Sequence, residues 1–174
     1  MKTIQPQTIS DLEFDRVLDQ LAQRALTQGG KARCRTITPM THPSKIETAL
    51  KEVEEYKASI GSDQGFPGHH FDALTEVLHQ LSIENSVLEL NGFKKIKHVC
   101  LTTDTIKRFL KKFDQFYIVL NQYAHQIPYD DQPVRLIDNI LDRFGQVKDD
   151  ASSELLFLRK SILRVKSSIN KSFS

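Results

Sequence analysis

No stretch of this sequence is apolar for long enough to cross a bilayer, and its opening, MKTIQPQTIS, has no apolar signal core. A cytoplasmic protein with no membrane partner is expected. Cysteine is scarce. Cys34 and Cys100 stand in unrelated contexts without CxxC or Cys/His spacing, so free thiols are expected rather than a disulfide or a metal site. No segment alternates apolar and polar residues as a strand does, and neither a fixed-period repeat nor a low-complexity tail occurs.

Catalytic signatures are missing as well. There is no GxxxxGKS or GxxxxGKT phosphate loop; Gly30-Lys31 lacks both the upstream glycine and the following hydroxyl. GxSxG and HExxH do not occur. His69-His70 lie in a glycine-rich loop, but adjacent histidines point apart and no carboxylate or thiol recurs at ligand spacing. His98 and Cys100, two apart on a helix, do not face each other. The pairs Asp130-Asp131 and Asp149-Asp150 could mark a metal-dependent nuclease; standing just before helices, they read better as caps. No catalytic residue, metal or cofactor is assigned to this chain.

What is present is helix. With 174 residues, 39% of them apolar and 26% charged, the chain can build one domain with a core. Ser10-Asp11-Leu12-Glu13 has the form of a capping box before Phe14, Val17, Leu18, Leu21, Ala22 and Ala25, with Gly29-Gly30 as the stop. Ser44-Lys45-Ile46-Glu47 reads as a second box, opening a helix that buries Ile46, Ala49, Leu50, Val53 and Ile60 and closes at Gly61. After the loop at 61–70, further helices are expected from near Asp72, from about Ser86 to Lys112, from about Asp114 to Gln126, and from Pro133 through Phe144. The expected fold is all-α, an irregular helical core of seven or eight helices over residues 1–150, followed by a coiled-coil helix over 151–174.

Two surfaces carry functional interest. At about 100° per residue, Lys94, Lys97, Arg108, Lys111 and Lys112 share one helix face. Such a face can follow a phosphate backbone, without aromatic neighbours to stack a base; a solvated surface is the more ordinary reading. The second surface lies in residues 145–174, GQVKDDASSELLFLRKSILRVKSSINKSFS. Gly145 is expected to stop the preceding helix, and Asp149, Asp150, Ser152 and Ser153 to cap the next. Leu155, Leu158, Ile162, Val165 and Ile169 then follow the 3-4-3-4 spacing of a coiled-coil seam, with Arg159, Lys160, Arg164, Lys166 and Lys171 on other faces. The helix reaches the last residue still amphipathic, so the chain is expected to be a fragment, with the turns near Ile169 and Phe173 exposed and a weak dimer through this helix.

The residues Gly145, Val147, Asp149, Ala151, Ser152, Glu154 and Leu155, leading into a basic coiled-coil helix, resemble the N-terminal region of the bacterial MutS type II family. These are MutS paralogues without mismatch-recognition domains. Leu12-Glu13-Phe14, Leu18, Leu21, Ala25, Gly30-Lys31 and Pro39 are similar to that family's start; residues 60–130 match only in their rhythm of helices. The resemblance implies a core or lever domain ahead of a long clamp that returns to the core. The later part of the seam would then pack on the returning clamp helix. It further implies a homodimeric parent that binds ATP and Mg²⁺, often with an endonuclease domain, acting on branched DNA in the suppression of recombination and on collided ribosomes through rRNA. None of the family's catalytic residues falls within this chain. A different class of reading is a self-contained helical interaction module that docks a partner protein through its terminal coiled coil.

Overall fold

The structure, a computed structural model, describes residues 4–61 and 65–172. Among them are nine helices and no strand: α1 (Pro6–Asp11), α2 (Phe14–Arg24), α3 (Gln28–Arg35), α4 (Pro43–Ser59), α5 (Thr75–Leu81), α6 (Leu90–Lys112), α7 (Ile118–Gln126), α8 (Gln132–Ile140) and α9 (Ser153–Ser172). The all-α expectation holds. The extra helix arises at the N-terminus, where Ser10 lies inside α1 and Glu13, at φ 49°, makes a left-handed corner into α2 instead of closing a capping box.

Several boundaries differ for identifiable reasons. Gly29 and Gly30 do not stop α2; they form the first turn of α3, where the Thr27 hydroxyl accepts the Gly30 N–H at 3.0 Å. Ser44 caps nothing, since Pro43 already opens α4 behind His42. Helix α8 ends at Ile140, leaving Phe144 outside it and exposed. Asp142 makes the turn that follows: its Oδ1 accepts the N–H groups of Phe144 and Gln146, both at 2.8 Å. Gly145 (φ +71°) belongs to this turn, which brings Leu141 and Val147 into one antiparallel bridge. It is not a helix stop. Ser152 does cap α9, accepting the Leu155 N–H at 3.0 Å, whereas Asp149 ion-pairs with Arg159.

Helix α6 is the spine. Helices α7 and α8 pack on it and α4 packs on α7, while α1, α2 and α3 form their own cluster around Leu18 and Ala22. Leu110, Tyr117 and Ala124 make the buried centre, with Phe66, Ile106, Phe109, Phe113 and Leu120 around them. The aromatic rings meet edge-on or tilted, Phe66 and Phe109 at 5.2 Å and Phe109 and Tyr117 at 5.3 Å between centroids. The molecule exposes 14073 Å², against about 8,700 Å² for a compact monomer of its mass.

Candidate functional site

The lysines and arginine singled out on α6 do share one side of that helix, but they are not equally available. Lys97 ion-pairs with Asp138 of α8. Arg108 lies 2.7 Å from Asp104, one turn back on its own helix. Lys112 sits over the Phe113 ring, 5.0 Å from its centroid. The Lys94 stem crosses Gly145 so closely that a Cβ there would clash with its Cε. Lys111, like the Lys94 ammonium, has neither an ion pair nor a ring beneath it among the described residues. Neighbouring Lys107, not among the five, is structural. Its ammonium donates to the carbonyls of Ala124 and Ile127, each at 2.5 Å, closing the C-terminus of α7.

Two concavities flank this spine. Between α6 and α7, a cleft of about 270 Å³ is edged by Lys107, Arg108, Lys111, Asn121 and His125. On the other side, an apolar cavity of about 390 Å³ opens among Tyr56, Phe66, His69, Leu110, Tyr123 and Ile127. His69 turns its Nδ1 to the Pro67 carbonyl at 2.9 Å, and His70 turns its own to the Leu26 carbonyl at 3.0 Å. The first contact lies within the loop, and the second ties the loop to the segment between α2 and α3. Among the described residues no three His, Cys, Asp or Glu side chains gather as a metal would require, and both cysteines are free thiols. Burial pushes the Cys100 thiol up. Among the described residues no helix is long and apolar enough to cross a membrane.

Helix α4 overturns its expected orientation. Ile46, Leu50, Val53 and Ile60, read as buried, are exposed, Leu50 and Val53 by 58% and 56%. The edge turned inward is polar. The Glu55 carboxylate accepts the N–H groups of Val119 at 2.8 Å and Leu120 at 2.9 Å, occupying the free donors in the first turn of α7. Glu52 accepts the Tyr123 hydroxyl at 2.8 Å, and this hydrogen bond, ahead of the nearby charge, raises that phenol's pKa. A charge-assisted cap on a helix N-terminus is worth more than a neutral hydrogen bond. No motif announces the arrangement. Its only sequence trace is the i, i+3 placement of Glu52 and Glu55.

Helix α9 leaves the body. Arg159 ties its base, pairing with Asp149 and reaching the Val147 carbonyl at 3.5 Å. Leu155 and Leu156 are half-covered there. Beyond them the seam is open: Leu158, Ile162, Val165 and Ile169 are all exposed. Phe173 lies outside the described residues.

No family model matches the chain. Curated relatives do. Over 161 residues it is 31% identical to the Endonuclease MutS2 of Aquifex aeolicus, a match covering 92% of this chain and 21% of that protein. Over 166 residues it is 25% identical to the Endonuclease MutS2 of Solidesulfovibrio magneticus, covering 95% and 21%. The Endonuclease MutS2 of Pediococcus pentosaceus is 26% identical over 163 residues, covering 91% and 20%. The chain is homologous to one segment of MutS2. It spans about a fifth of the length of these relatives. The resemblance carried by Gly145, Val147, Asp149 and Leu155 therefore holds, and it extends through the middle, where the motifs gave only a rhythm of helices.

Proposed function

We propose that this chain is the helical core of a MutS2-type protein and transmits motion between its body and the helix that leaves it. Alpha-helical spines suit that task because a packed helix moves as a unit. The observation that carries the reading is α9, whose base is tied by Arg159 to Asp149 while its outer turns leave the body. The MutS2 relatives are named endonucleases; for the protein acting through this segment we propose ATP turnover, action on branched DNA with suppression of recombination, and action on collided ribosomes. We place the ATP and Mg²⁺ of that turnover outside this segment, because its sequence offers no phosphate loop. Direct contact with nucleic acid, where made, falls to Lys94, Lys97, Arg108, Lys111 and Lys112, through phosphate charge and without base readout.

The test uses a MutS2-type protein containing this segment. Two glycines inserted after Ala151 should abolish stimulation of ATP turnover by branched DNA and leave unstimulated turnover intact. Stimulation unchanged by the insertion would refute the coupling role. The 174-residue chain alone is expected to turn over no ATP and cut no DNA.

A further inference from the structure

We propose that the exposed stripe of α4 is a docking surface for α9 of a second copy of this chain, laid antiparallel and exchanged reciprocally. Both helices carry an apolar stripe that nothing in the structure covers: Ile46, Leu50 and Val53 on α4, Leu158, Ile162, Val165 and Ile169 on α9. Both stripes follow heptad spacing, with Lys57 filling the remaining stripe position of α4. Run antiparallel, they fall into register over four layers: Lys57 on Leu158, Val53 on Ile162, Leu50 on Val165 and Ile46 on Ile169. Each layer joins the two stripe positions that face one another in antiparallel coiled coils.

Charge selects this pairing over the alternatives. The positions flanking the stripes on one side are Glu47 and Glu54 on α4, and Arg159 and Lys166 on α9. Each pair is separated by one heptad, so in the register above Glu54 meets Arg159 and Glu47 meets Lys166. Arg159 also serves Asp149, and its several N–H donors allow both. Two α9 helices side by side would set cation against cation at these positions, and two α4 helices acid against acid. Lys57, the charged member of the α4 stripe, comes within a turn of Glu154.

The pairing stands independently of the coupling role. It is tested by sedimentation of the 174-residue chain at about 0.1 mM. The parent should be a dimer, and Leu50→Asp and Ile162→Asp should each give a monomer; both sites are exposed, so circular dichroism should be unchanged. Mixing these two variants should restore association, because Ile162→Asp retains a sound α4 and Leu50→Asp a sound α9. Glu47→Lys or Lys166→Glu alone should weaken the dimer about ten-fold, and the two together should restore it. A monomeric parent, as expected if the stripes await another segment of a longer chain, overturns the proposal. A dimer that survives Leu50→Asp, as in α9-on-α9 pairing, overturns it too, as does a mixture that fails to associate.

Discussion

Helices α6 and α9 begin as near equals. They have 23 and 20 residues, and both carry an apolar stripe and a surplus of cations. Their fates diverge. The stripe of α6 is closed by α7, α8 and Phe66 and holds Leu110 at 3% exposure, whereas that of α9 is open from Leu158 outward. Periodicity thus states that a surface is to be covered and says nothing of what covers it. The same lesson applies to α4, whose apolar stripe is exposed while Glu55 on its inward edge caps α7.

The comparison breaks most directly by truncation on each side. Leu110→Ala should cost about 2–5 kcal/mol in urea unfolding, since it empties a closed site. Ile162→Ala, followed at concentrations where the chain is monomeric, should cost less than about 0.5 kcal/mol. Equal losses would mean that α9 is covered after all. Next in size is Glu55→Ala, which leaves two N–H groups of α7 uncapped and should cost about 1–2 kcal/mol; no change would show that the inward polar edge of α4 contributes nothing. Gly145→Ala should cost about 1 kcal/mol through positive φ and the Lys94 stem, and α9 should keep its helicity. Smallest is a pH effect. The Tyr123 phenol is raised in the folded state, so its contribution is complete below its unfolded pKa and is lost as pH rises through the folded one. Glu52→Gln should bring its phenolate titration to lower pH, and Tyr123→Phe should remove this part of the alkaline loss of stability.

The helices themselves were legible because spacing of 3 and 4 is a local signal. The helix over Ser153–Ser172, Pro133 at the start of α8 and Gly61 after α4 all fall as read. What escaped depends on partners distant in sequence. Glu55 caps a helix that begins more than sixty residues later, as its 64-residue separation from Val119 records. Lys97 belongs to a basic face by its helical angle and to Asp138 by tertiary structure. Gly29, Gly30 and Gly145 were read as stops; two begin a helix and one makes a turn, since glycine permits any of these and neighbours choose.

The narrow attachment of α9 has a mechanical consequence. Its base is held by the Leu141–Val147 bridge, by Lys148 on the Asp138 carbonyl at 2.7 Å and by Arg159, all within its first turns or just before them. A straight helix of 20 residues is about 30 Å long. Tilting it by roughly 10° at that base therefore swings its far end by about 5 Å, close to the rise of one helical turn. Displacements at the root too small to unseat a single hydrogen bond become, at the tip, a full exchange of which residues face a neighbour.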